Sequence, residues 1–113
     1  MLEKKNRICL DKEFDRVFKT GQSFYGKVLG IKVVPNDRQS SRFGLMVSLK
    51  VSKKAVIRNK IKRQIRAIIS KELPIIKDGK DVVIIVFPLI LDKNFEEIKK
   101  FLKNGFESLS LYK

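Results

Sequence analysis

Arg58, Lys62 and Arg66 recur at every fourth residue, with Asn59 and Arg63 beside them, Lys60 nearer the opposite edge, and a Lys53–Lys54 pair just upstream. On a helix, that spacing gathers guanidinium and ammonium groups into one outward face. Such groups make charge-assisted hydrogen bonds to phosphate and carboxylate oxygens, and they are not themselves acids or bases at neutral pH. Like charges at i, i+4 destabilise an isolated helix by roughly 0.2 to 0.5 kcal/mol per pair. No acid is interleaved here to relieve them, so the counter-anions are expected from outside the chain. Lys53 and Lys54 fall where the first turn begins, and cations there oppose the helix dipole. Free backbone N–H groups and two ammonium groups together suit a phosphate.

Bond-breaking chemistry has little to work with. The chain has no His, one Cys and no glycine-rich phosphate loop, and no Asp or Glu lies between Arg38 and Lys71. Zinc sites and His-based catalysis are thereby excluded, and Cys9 reads as a small packed side chain. The twelve acids read as helix caps, turn residues and surface pairs, so no catalytic residue, protein-bound metal or cofactor is assigned.

The charge is segregated. Eleven of the 26 Lys and Arg residues lie between Arg38 and Lys71, and this acid-free stretch carries +11 of the net +14. That is the electrostatic footprint of a nucleic-acid binder. The longest apolar run, Val82 to Leu91, is broken by Pro88 and falls far short of the roughly 20 residues that span a bilayer. The first ten residues lack the apolar core and cleavage site of a secretory signal, which indicates the cytoplasm. A length of 113 residues, 43% of them hydrophobic, fits one domain over 1–113.

The elements that must position these residues follow from periodicity. Ile57, Ile61, Ile65, Ile68 and Ile69 form the core stripe of the basic helix. Before it, residues 1–10 read as an irregular basic arm that orders on a partner. Asp11 reads as the N-cap of a short helix bearing Phe14, Val17 and Phe18, with Gly21 as its stop. Alternation gives a strand from Lys27 to Val34, with Leu29, Ile31 and Val33 on one face and Lys32 on the other. The loop PNDRQSSR is expected to join two neighbouring antiparallel strands. A further strand from Phe43 to Leu49 puts Leu45, Val47 and Leu49 on one face and Ser48 on the other. After the basic helix, KDGKD reads as a loop, Val82–Phe87 as a central strand buried on both faces, and Asp92 as the cap of a last helix with Phe95, Ile98, Leu102 and Phe106 inward.

Gly44, Val47, Ser48, Lys53, Lys54, Ala55, Val56, Arg58, Asn59, Lys60, Lys62, Arg63 and Arg66 resemble the signature of the bacterial ribonuclease P protein subunit, whose "RNR" helix reads K-x-A-V-x-R-N-x-x-K-R-x-x-R. Lys60 stands where a second Arg is usual, and Leu49 and Ser52 stand where a Lys and a Gly are common. The resemblance implies an α+β fold, an α/β sandwich with a small mixed sheet packed against helices in the order αβββαβα and a left-handed βαβ crossover. It implies an endonucleolytic ribonucleoprotein that removes 5′ leaders from precursor tRNA. In that family the RNA subunit performs hydrolysis with magnesium, and the protein binds that catalytic RNA and the precursor. The RNR helix, with Lys53, Lys54, Arg58, Asn59, Lys60, Lys62, Arg63 and Arg66, is then the RNA-binding surface. Phe14, Phe18, Lys32 and Ser48 form the leader cleft, with Lys32 at a position often aromatic. No membrane and no obligate protein partner are implied.

Two other readings compete. A ribosomal RNA-binding domain would show a similar basic helix, but the aromatic first helix and the RNR spacing count against it. A peripheral membrane protein could use a basic amphipathic helix, yet here the apolar stripe is needed by the fold.

Overall fold

The computed structural model describes residues 4–8 and 11–113, apart from the side chains of residues 11–13, 18 and 20. The elements are α1 (Asp11–Thr20), β1 (Gln22–Tyr25), β2 (Leu29–Pro35), β3 (Arg42–Met46), α2 (Ala55–Glu72), β4 (Lys80–Val86) and α3 (Phe95–Ser108). This is the expected αβββαβα order in a mixed α+β fold. Cys9 lies outside the described residues. The helix starts at Asp11 itself, one residue earlier than an Asp11 cap requires.

The sheet order is β1-β2-β4-β3. β2 pairs antiparallel with β4, Leu29 opposite Val86, and β3 pairs parallel with β4, Arg42 opposite Asp81. The sequence suggested that the strands flanking the PNDRQSSR loop are neighbours; they are not, because β4 lies between them. The crossover through α2 returns the chain between them, and the β-branched run of β4 suits that central place, with Val82, Val83 and Ile84 fully buried. β1 was not evident from the sequence. It is a four-residue edge strand with two polar residues, too short to display alternation.

One face of the sheet carries the main core. Leu29, Ile31, Val33, Val82, Ile84, Val86 and Phe43 pack there against Ile61, Ile65, Ile68 and Ile69 of α2 and Ile98, Leu102 and Phe106 of α3. The isoleucine stripe faces inward as its spacing dictates. Gly105 lets α3 lie close on β1 and β2, because a Cβ there would collide with Ile31. α3 is capped by Asn94, which accepts from the Glu97 N–H while the Glu97 carboxylate accepts from the Asn94 N–H. Asp92 ends a separate 3-10 turn (Pro88–Asp92) and does not cap it.

The opposite face carries a smaller cluster of Ile8, Val17, Val34 and Val83, with Phe14 and Ile85 against it. α1 covers this face in part. Of the basic arm expected over residues 1–10, the described residues 4–8 lie against the fold of the chain itself. Arg7 bridges to Phe43 along β3, the Ile8 N–H donates to the Phe43 carbonyl at 3.0 Å, and the Asn6 Nδ2 donates to the Ser41 carbonyl at 2.8 Å. These residues cover the outer edge of β3. Leu49, expected inward, is 66% exposed because the strand ends at Met46 and the chain turns, the Val51 N–H bonding the Ser48 carbonyl.

The two faces of α2 are expected to differ sharply on truncation. Ile61→Ala should cost about 2 to 5 kcal/mol as a buried large-to-small change. Lys62→Ala should stay within about 0.5 kcal/mol or stabilise slightly by relieving repulsion with Arg58 and Arg66. Urea denaturation of the free protein measures both, and equal losses would contradict the assignment of faces.

Candidate nucleic-acid interface

α2 carries its cations as the sequence predicts, with two refinements. Asn59, Lys60 and Arg63 are exposed, and Lys62 and Arg66 are half-buried. Among the described residues, none of these five has an ion-pair partner. Arg58 differs. Its Nη1 donates to the Ser52 carbonyl at 2.8 Å, so it also ties the preceding turn to the helix. Lys60 differs too, lying across the isoleucine stripe from Arg58. It lines a shallow groove with Ile57, Gln64 and Leu91, beside the Pro88–Asp92 turn. Arg58, Lys62 and Arg66 thus form one ridge at i, i+4 spacing with Arg63 beside it, and Lys60 lies toward the far side of the isoleucine stripe.

The start of α2 is polar and uncapped. Lys54 is the N-cap in extended conformation, without a side-chain hydrogen bond to the helix, and the first turn contains no acid. The Ser52 Oγ accepts from the Lys54 N–H at 3.1 Å. Lys53 and Lys54 are both exposed there, as a phosphate-binding end requires.

The second surface is the sheet face beneath α1. Strand alternation puts Ser23 and Tyr25 of β1, Gly30 and Lys32 of β2, Asp81, Val83 and Ile85 of β4, and Arg42, Gly44 and Met46 of β3 on it. Along β4 the face passes from a locked end to an open one. Asp81 is fully buried, Val83 is covered by α1, and Ile85 is half-buried.

The locked end is an ionic hub. Arg42 grips Asp81 with two bonds, Nε to Oδ1 at 2.9 Å and Nη2 to Oδ2 at 2.6 Å. Arg16 of α1 donates to Oδ2 at 2.6 Å, and Asn36 of the β2–β3 loop donates to Oδ1 at 2.8 Å. Burial alone would raise the Asp81 pKa, but the bonds from Arg42, Asn36 and Arg16 outweigh it and hold the carboxyl below its ordinary value. This residue lies in the segment read as a polar loop. Its partners are remote in sequence, so no local pattern signals it.

The open end holds the leader-cleft candidates. Phe14 is half-buried, its ring directly over Gly44, where a Cβ would meet it at 2.5 Å. Ser48 is exposed, its Oγ accepting from the Lys50 N–H at 3.2 Å. Lys32 is half-buried beside Tyr25, its Nζ 5.9 Å from the ring centroid. The side chain of Phe18 lies outside the described residues. Tyr25 was missed, because it sits on the strand that sequence periodicity did not reveal. The available signal was the aromatic pair Phe24–Tyr25 before Gly26. Its phenol is held below its ordinary pKa by Lys32 first and Ser23 second, against a smaller opposing effect of burial.

The arrangement can bind a polyanion on one face and an unpaired strand on the other. No cluster of three or more His, Cys, Asp or Glu side chains suited to a metal ion occurs among the described residues. No described helix is long and apolar enough to cross a membrane.

A family model described as Ribonuclease P matches residues 2–110. A relative from Synechocystis, called ribonuclease P protein component, is 42% identical over 112 residues, covering 97% of this chain and 90% of its own. A protein of the same description from Bacillus velezensis is 37% identical, covering 99% and 96%. The solved structure of the Staphylococcus aureus RNase P protein superposes with a TM-score of 0.89 at 28% identity, over 96% of this chain and 98% of that one.

Proposed function

The chain belongs to the bacterial ribonuclease P protein family, and from that premise we propose that it binds the catalytic RNA through α2 and the 5′ leader of precursor tRNA across the open sheet face. The observation that carries this reading is the ridge of Arg58, Lys62, Arg63 and Arg66, which meets no carboxylate among the described residues. Such a ridge matches the regular phosphates of a folded RNA, whose backbone and shape are what a protein helix can grip. Lys53 and Lys54 extend the same surface at the helix start, and Asn59 adds a neutral donor. The leader lies beside Phe14, Phe18, Lys32 and Ser48, where ring faces and single cations tolerate any base. Hydrolysis, with its magnesium, belongs to the RNA. The work of these side chains is to hold substrate and RNA in register.

The test is to purify the protein from nuclease-free cell extract, sequence the RNA it retains, and supply precursor tRNA with magnesium. The expected result is one dominant RNA that cleaves the precursor, with tighter binding of precursor than of mature tRNA when the protein is present. Ribosomal RNA as the retained species, with no cleavage, would overturn the proposal.

A further inference from the structure

We infer that Tyr25 is a base-stacking platform of the leader cleft, seated by Gly30 and flanked by Lys32, so that the single strand crosses the sheet face between Phe14 and Tyr25. The inference rests on the leader reading above and adds a residue and a path to it. Tyr25 is 60% exposed, an unusual state for a large ring within a strand. It is nonetheless held in position. A Cβ at Gly30 would lie 2.9 and 3.1 Å from two Tyr25 ring carbons and 3.4 Å from the Phe87 ring. The missing side chain is what allows the ring to lie down on β2. A ring braced on one side and bare on the other is pre-organised for stacking, with little rotamer entropy left to lose.

Phe14 repeats the device at Gly44. Gly30 is opposite Ile85 and Gly44 is opposite Val83, so the two seats are two strands and two residues apart. At ordinary sheet spacings that is about 12 Å, within reach of a few nucleotides. Lys32 lies on the same face, opposite Val83 and so level with Gly44 along the strand direction, across β4 from it. Its ammonium, 5.9 Å from the Tyr25 ring centroid, adds a cation beside the platform, within a net charge of +14 that favours an anionic strand. Single-stranded RNA fits better than an apolar peptide, because the face interleaves rings with a cation and a hydroxyl from Ser23.

The test uses holoenzyme reconstituted with the catalytic RNA and measures Kd for precursor and mature tRNA. Tyr25→Ala should weaken precursor binding by roughly five- to hundredfold and leave mature tRNA and protein melting unchanged. Tyr25→Phe should keep most of the affinity. Gly30→Ala should lose precursor preference although it retains the phenol, because the methyl lifts the ring. If the wild type prefers precursor and Tyr25→Ala does so equally, Tyr25 is only surface and this inference fails alone. If the wild type shows no preference, the leader reading fails and takes this inference with it.

Discussion

Asp81→Ala should cost the free protein about 3 to 5 kcal/mol, the scale of breaking a buried ion pair, against a total stability of about 5 to 15 kcal/mol for such a domain. The carboxylate is fully buried and Arg42 is 8% exposed, so the change removes the carboxylate that a nearly buried guanidinium grips with two bonds. It also releases α1, which Arg16 ties to β4, and with it the seat of Phe14. Replacing Asp81 and Arg42 together by apolar residues should cost less than Asp81→Ala alone, since the buried guanidinium goes with its carboxylate and the Arg16 that remains is largely solvated. The folded-state pKa is depressed, so this stabilisation is present above the unfolded pKa of about 4 and is lost as pH falls through the folded value. Stability should therefore decline from about pH 4 down to the lower folded value, and Asp81→Asn should flatten that dependence. Urea titrations across pH 2 to 7 provide the measurement. A loss under about 1 kcal/mol for Asp81→Ala would mean the hub is not what fixes α1.

Removing Lys62, Arg63 and Arg66 together should reduce the magnitude of the salt slope for catalytic-RNA binding by about 2 to 3 units. A conservative 1 kcal/mol or so for each charge-assisted contact gives roughly a hundredfold loss of affinity. Precursor and mature tRNA should suffer alike, because assembly with the RNA is what fails. Folding should be unharmed, as these cations have no partner among the described residues. Lys60→Ala is the internal control. Across the core stripe from the ridge and beside Leu91, it should change the slope by far less than one unit. A Lys60 effect equal to that of Arg63 would return it to the same surface.

The helices were largely legible because their information is local. Five isoleucines at helical spacing fix which side of α2 is buried, and the cations follow by exclusion. The β-branched run of β4 likewise signalled a central strand. What escaped depended on pairing across the chain. Nothing in PNDRQSSR announces that β4 will separate the strands it joins. Nothing near Asp81 announces Arg42, Asn36 or Arg16. The cleft was half legible for the same reason: Phe14 stood out on a helix, whereas Tyr25 acquires meaning only once Gly30 is known to lie beneath it.

The place of β4 at the centre of the sheet also has a consequence for synthesis. The ribosome releases the chain from its N-terminus, so β1, β2, β3 and all of α2 are made before the strand that joins them. Until Lys80–Val86 emerge, β3 has no strand beside it and the isoleucine face of α2 has no complete sheet to cover it. Closing such distant pairings is slow compared with forming a helix turn. During that interval Arg16 and Arg42 have not yet met their carboxylate, and the acid-free stretch from Arg38 to Lys71 is extruded as a bare polycation against ribosomal RNA. The nascent protein is thus at its most adhesive before it has a fold, and the arrival of β4 turns a sticky chain into a selective one.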